Sequence, residues 1–245
     1  MKFAYSGISG KIGYFINEYR STTSCVLDRS VFNWQDRDTY TMLNSYDRVF
    51  LSFPVNKINV LELLPDFLST IQSGQTIVKF GSLGPQRVIH DIIDSELRSC
   101  CRVINLQLAP TMQSVLDEQI TDNTISDYRY ARPAPYVSAE DAAMLAVRAV
   151  ECSVTKDTLS VTGPENLTVS NLQQIFSSYN NYHIKSIAPD IFVNQYQLYS
   201  DEIQKQIGHA YNQYKSWNPV VSNDLADNNI HPMTFEQWLK NHHGN

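Results

Sequence analysis

Along the first hundred residues, short continuous apolar runs alternate with stretches whose apolar positions recur at helical spacing. Lys2–Ser6 reads as a strand, and Lys11–Arg20 then carries Ile12, Phe15, Ile16 and Tyr19 three or four residues apart. Ser24–Asp28 reads as a second strand, Asp38–Asn44 as a short helix, and Arg48–Phe53 as a third strand stopped by Pro54. A helix over Val60–Gln72 lines up Leu61, Leu64, Phe67, Leu68 and Ile71 on one face. Thr76–Phe80, Pro85–Arg98 and Arg102–Leu108 continue as strand, helix and strand. Strands that are apolar without alternation are covered on both faces, so the pattern predicts an α/β fold with a Rossmann-type doubly wound parallel sheet.

Beyond Pro110 the pattern loosens. Asp122–Pro135 is polar and contains proline, Ala139–Glu151 is helical, Thr158–Thr162 is a sixth strand, and the remainder from Gly163 reads as helical. The expected organisation is a nucleotide-binding domain over 1–162, with 111–136 contributing to the substrate side. A small, mainly helical substrate or lid lobe over 163–245 follows.

Composition narrows the class. Hydrophobic residues make up 42% and charged residues 18%, too apolar for an unfolded, self-repelling chain. A net charge of -6 argues against a nucleic-acid partner, whose phosphates call for clustered Lys and Arg. With a glycine turn at residue seven and no stretch near the roughly 20 apolar residues that span a bilayer, the expectation is a cytoplasmic protein without a membrane partner. Cys25, Cys100, Cys101 and Cys152 lack the spacing of a disulfide framework or zinc site, so reduced, mostly buried thiols and no metal are expected.

Candidate chemistry begins at Gly7-Ile8-Ser9-Gly10-Lys11-Ile12-Gly13, where three of the nine glycines fall at intervals of three between a strand and a helix. The first permits a tight turn, the second lets backbone approach a pyrophosphate, and the third lets helix and strand pack closely. This spacing predicts an NAD(P) site. Asp28, about twenty residues on, could accept hydrogen bonds from a ribose 2′-hydroxyl, whereas Arg29 and Lys11 could neutralise a 2′-phosphate. NADP(H) is favoured, and NAD(H) stays open.

The glycine spacing resembles that of atypical short-chain dehydrogenases, and further segments resemble their NmrA-like branch. These are Phe32–Tyr40 leading into Tyr46–Pro54, Tyr136–Ala143, Val161–Thr168 with its Gly-Pro-Glu run, and Met233–Trp238. Trp34-Gln35-Asp36 is most similar to the ergot-alkaloid dehydrogenase-like proteins, which reduce an iminium carbon with NADPH. The resemblance implies that Gly7, Ser9, Gly10, Lys11, Ile12 and Gly13 wrap the pyrophosphate and that Arg29 meets the adenosine phosphate. It places Asn33 and Trp34 beside the adenine, Phe53 and Pro54 beside the ribose, and Gly81 and Ser82 near the nicotinamide. Leu108-Ala109-Pro110 stands where relatives carry Leu-Arg-Pro, which removes a cation near the coenzyme.

The helix after the fourth strand lacks a Tyr-x-x-x-Lys pair; the one at Tyr211 and Lys215 lies far into the C-terminal part and reads as coincidence. Ser82 is the candidate proton donor. Lys79 reads as pointing to a sheet edge, and His90 as a surface or packing residue. Met112, Tyr196 and Tyr199 are candidate substrate contacts, and the tyrosines, with Tyr211, Tyr214 and Trp217, either line a flat or cationic pocket or simply pack lid helices. The functional expectation is an NAD(P)H-dependent reductase of a small electrophilic molecule of imine, quinone or azo type. A redox sensor without turnover, or a fold recruited for cyclisation or isomerisation, are the alternatives, and a homodimer is left open.

Overall fold

The computed structural model describes residues 1–84, 87–117, 124–127, 133–152, 154–178, 183–186, 194–214 and 219–243. Six parallel strands form the main sheet: β1 (Phe3–Ser6), β2 (Cys25–Leu27), β3 (Arg48–Phe50), β4 (Thr76–Ser82), β5 (Arg102–Leu108) and β7 (Thr158–Val161). Their order is β2-β1-β3-β4-β5-β7, so the chain reverses direction across the sheet at β1, and the β1/β3 boundary is the switch point where this class of sheet opens a crevice. Helices α1 (Lys11–Tyr19) and α5 (Ala139–Glu151) cover one face, and α2 (Val60–Leu68) and α3 (Arg87–Arg98) cover the other.

Side chains alternate across the sheet, so β4 feeds both cores. Val78 joins Tyr5, Ile16, Phe50 and Ala146 on the α1/α5 side, while Ile77 joins Leu64, Ile89, Ile93 and Val103 on the α2/α3 side. Both faces are buried, which is why these strands are mainly apolar without strict alternation.

The sequence reading places most elements within a few residues, with informative differences. The helix expected over Val60–Gln72 stops at Leu68, tolerates Pro65 in its interior, and passes into a turn at Ser69. The connection from β2 to β3 is a 3₁₀ helix, Arg37–Ser45, started by the Asp36 carboxylate accepting from the Asp38 amide. The remainder from Gly163, expected to be helical, contains a strand. A second, two-stranded parallel sheet pairs β6 (Thr124–Asp127) with β8 (His183–Ser186), elements too short and polar to show in a hydrophobic pattern. The thiols are free, but Cys152 is exposed and the other three are half-buried.

A third core joins Met112 and Val115 of α4 (Met112–Asp117), Leu172 and Phe176 of α6 (Val169–Ser177), and Phe235, Trp238 and Leu239. The last three belong to the final helix, Phe235–His243. Phe235 sits edge-on to Tyr136, Phe176 and Trp238, with ring centroids 5.6, 5.7 and 5.5 Å away. The helix α7 (Asp201–Tyr214) instead sends Ile207 and Tyr211 into the core on the α2/α3 side.

Three of the motifs that carry the family resemblance meet in space. Ser138 caps α5 by accepting from the Asp141 amide, and Asp141 accepts from the Met233 amide at 3.1 Å. Glu165 accepts from the Phe235 amide at 3.3 Å, and a β-carbon on Gly163 would collide with the Tyr136 carbonyl oxygen. These residues clamp the strand ends to the C-terminal helix, a structural task.

Candidate functional site

The first turn of α1 follows the end of β1, the strand beside the switch point. Gly7 has a φ of +71°, a left-handed conformation that suits glycine, and a β-carbon there would strike Ser52 at the end of β3. Gly10 is the N-cap residue, no side chain caps the helix, and the space beside its α-carbon is open apart from the Gly7 carbonyl oxygen 3.5 Å away. Gly13 is buried, and a β-carbon on it would run into the Gly7 carbonyl and the Ile8 backbone. Ser9, Gly10 and Lys11 are exposed and Ile12 is half-buried. The turn is an uncapped helix N-terminus in which Gly7 and Gly13 answer steric demands and Gly10 leaves open space, a form that receives a phosphate group. The residues present therefore fit a dinucleotide pyrophosphate.

The neighbouring strand ends are tied to this turn. The Ser52 amide donates to Ser6 Oγ at 3.0 Å, and Trp34 Nε1 donates to the Ser52 carbonyl at 2.9 Å. Trp34, 7% exposed, packs against Phe53 and Phe67 at centroid distances of 4.9 and 5.0 Å, and its own carbonyl accepts from the Tyr40 hydroxyl. Asn33 turns its Oδ1 to the Gln35 amide. Trp34 and Phe53 thus form an aromatic floor beneath the β3 end, with Pro54 half-buried beside it.

Asp28 and Arg29 are both exposed past the end of β2. Asp28 Oδ1 accepts from the Ser30 amide at 2.8 Å, the Ser30 hydroxyl at 2.6 Å and the Val31 amide at 3.3 Å. These bonds hold its carboxyl below the usual carboxylate range and commit one oxygen to the local turn.

At the end of β4, Ser82 is 5% exposed and its Oγ accepts from the Gly84 amide at 2.9 Å. Gly81 is buried because the Asn105 carboxamide of β5 fills the space a side chain would need. Asn105 is a site-adjacent residue the sequence reading passes over; a polar residue inside Val103-Ile104-Asn105-Leu106 was the available signal.

Lys79 does not point to a sheet edge. β4 lies between β3 and β5, and Lys79 is fully buried on the α3 side. Its Nζ lies 3.4 Å from the His90 carbonyl oxygen, 3.4 Å from Asn105 Oδ1 and 3.6 Å from Asp94 Oδ1. Burial pushes its pKa down to about 8, against the pull of Asp94. His90 is a packing residue, buried, with Nδ1 lacking a hydrogen-bond partner among the described residues, and burial pushes its pKa down to about 3.

Met112, Tyr196 and Tyr199 are all buried. Met112 lies in the third core, whereas Tyr196 and Tyr199 join Tyr211 in the core on the α2/α3 side. The Tyr199 hydroxyl donates to the Val55 carbonyl oxygen at 2.7 Å. Lys215, Trp217 and the Tyr214 side chain lie outside the described residues. A cavity of about 650 Å3 opens between α3, with the two residues Leu83 and Gly84 that lead towards it, and α7; Arg87, Asp91, Lys205 and His209 are among its lining. Among the described residues no group of His, Cys, Asp and Glu is arranged to hold a metal, and no helix is long and apolar enough to cross a membrane.

No family model matches this sequence, and no curated protein matches it. Solved structures do match in fold. The NADPH complex of a quinone oxidoreductase from Escherichia coli superposes with a TM-score of 0.75 at 11% identity, over 98% of this chain and 99% of that one. Triphenylmethane reductase from Citrobacter sp. gives 0.72 at 11% identity, over 98% and 99%. The leucoanthocyanidin reductase–NADPH complex from Vitis vinifera gives 0.64 at 9% identity, over all of both chains. At these identities the likeness establishes the α/β Rossmann-type fold across the whole chain.

Proposed function

We propose that this protein is an NAD(P)H-dependent reductase of a small electrophilic organic molecule, with NADP(H) the favoured coenzyme. The observation that carries this reading is the uncapped N-terminus of α1 at the switch point, entered by a glycine turn in which Gly7 and Gly13 have no room for a side chain and Gly10 leaves the helix end open. The whole-chain likeness to structures described as NADPH-dependent quinone, dye and leucoanthocyanidin reductases supports it.

In this reading the turn from Gly7 to Gly13 wraps the pyrophosphate, and the coenzyme runs from the end of β2 across β1 to the ends of β4 and β5. Arg29 meets the adenosine phosphate, while Asp28 commits one oxygen to the Ser30 and Val31 turn. The bound nicotinamide supplies a hydride equivalent to the substrate. Ser82 Oγ accepts from Gly84 and keeps its own proton to donate to the substrate atom that gains charge. A cavity of small-molecule size opens beside Leu83 and Gly84, which follow Ser82 in the chain. Imines, quinones and azo compounds are already electrophilic, so positioning supplies most of the rate without a Tyr-x-x-x-Lys pair. An iminium substrate follows from the likeness of Trp34-Gln35-Asp36 to the ergot-alkaloid dehydrogenase-like proteins.

Purified protein incubated with NADPH and a panel of quinones, cyclic imines and azo dyes is expected to consume coenzyme with at least one class. Micromolar coenzyme binding with no turnover across the panel would replace the reductase with a sensor.

A further inference from the structure

A fully buried ammonium in the middle of a parallel sheet calls for a reason. Its position would be held more cheaply by an apolar side chain of similar length, because desolvating a charge costs more than loose partners return. The partners of Lys79 are loose: its three nearest acceptors lie at 3.4, 3.4 and 3.6 Å, beyond the 2.7–2.9 Å usual for a charge-assisted bond. Its one ion-pair carboxylate among the described residues, Asp94, is shared, because Arg98 holds Asp94 Oδ2 at 2.7 Å. Asp91 is paired with Arg87 at 3.1 Å, and His90 is held neutral by burial. The groups that face Lys79 from α3 are therefore Asp94, Asp91, Arg98 and His90, and from β5 the neutral Asn105. With Arg98 and Lys79 set against the single charge of Asp94, one positive charge is left over, and the least solvated of the three groups is Lys79.

That charge is placed close beneath the strand ends. Lys79 lies three residues before Ser82 on β4, in register with Asn105 of β5, and the Asn105 carboxamide extends from Lys79 to the space under Gly81. The two forms of a nicotinamide coenzyme differ in charge at the ring: the oxidised ring is a pyridinium cation and the reduced ring is neutral. We propose that Lys79 is an electrostatic selector, its buried charge disfavouring the oxidised coenzyme relative to the reduced one in this cleft. The inference rests on the coenzyme reading above, with the nicotinamide over the ends of β4 and β5. A reductase gains from such a charge because the reduced form loads preferentially and the oxidised form leaves. It also offers a cation near the nicotinamide from below the sheet, where Ala109 supplies none from the β5 end.

The size of the effect follows from Coulomb's law. Two unit charges about 10 Å apart at an effective dielectric of about 20 repel enough to change an affinity about tenfold. The test is the ratio of the dissociation constants of NADP+ and NADPH, measured by calorimetry on the intact protein. Lys79→Met, a neutral side chain of similar length, is expected to lower that ratio about tenfold, chiefly by tightening NADP+. In the unsubstituted protein the ratio is expected to fall as pH rises from 7 to 9.5 and the ammonium loses its proton. The 2′-phosphate, Arg29 and Lys11 meet both coenzyme forms alike and cancel in the ratio. A ratio unmoved by Lys79→Met, with both coenzymes bound, overturns the selector and leaves the coenzyme site standing. Failure of the unsubstituted protein to bind either coenzyme overturns both. Should Lys79→Met not fold, the pH series decides by itself, and a flat ratio rejects the proposal.

Discussion

Gly13 packs so tightly under Gly7 that a β-carbon on it would overlap the Gly7 carbonyl oxygen and the Ile8 backbone. These atoms belong to the loop that is proposed to receive the pyrophosphate, so helix and loop cannot part without moving the amides of that turn. Gly13→Ala is expected to weaken NADPH at least tenfold by calorimetry while the circular dichroism spectrum stays α/β. Unchanged affinity would mean that the coenzyme binds elsewhere.

Asp28 spends one oxygen on the Ser30 and Val31 turn, and Arg29 stands exposed beside it. Removing the guanidinium should therefore tell the two coenzymes apart. Arg29→Ala is expected to weaken NADPH about tenfold and NADH less than twofold. Equal losses in a titration of both would reject the assignment of Arg29 to the 2′-phosphate.

His90 must stay neutral in the folded protein, with a pKa pushed down to about 3 by burial against an ordinary value of 6.5. The unfolded chain takes up the proton first as pH falls, so this residue's stabilising contribution is complete above pH 6.5 and is lost progressively towards pH 3. Between pH 6.5 and 5 it accounts for a loss of about 2 kcal/mol. Urea midpoints at those two pH values are expected to converge in His90→Leu relative to the unsubstituted protein. An unaltered difference would mean that His90 is protonated, or solvated, in the folded state.

Tyr199 ties the segment before α7 to the loop after β3, its hydroxyl donating to the Val55 carbonyl oxygen at 2.7 Å with the Ile58 carbonyl 3.2 Å away. Tyr199→Phe keeps the ring in the core and leaves those carbonyls one donor short. The expected loss is about 1 kcal/mol, seen as a fall in Tm of about 2–4 °C. No change in Tm would show that water takes the place of the hydroxyl.

How much of this was legible beforehand depended on range. The glycines at 7, 10 and 13 and the strand–turn–helix around them involve residues adjacent in the chain, and their spacing carries the geometry directly. The alternation of strands and helices through Leu108 was readable for the same reason, because a strand covered on both faces is mainly apolar. Arg102–Leu108 and Ala139–Glu151 have the bounds that the pattern predicts.

Contacts between distant residues decided the rest. Lys79 looked like an edge residue because its partner Asp94 lies on the helix that returns across the sheet and Asn105 on the next strand. Tyr199 could be an aromatic lining or a packing residue until Val55, 144 positions away, met its hydroxyl. The short pairing of Thr124–Asp127 with His183–Ser186 carries too little apolar periodicity to be seen alone. By itself the sequence determined the class of sheet and the glycine turn, because local periodicity and local sterics suffice for those. Which side chains are buried, paired or brought to the strand ends was decided by tertiary structure alone, because burial and charge pairing are properties of neighbours that only the folded chain assembles.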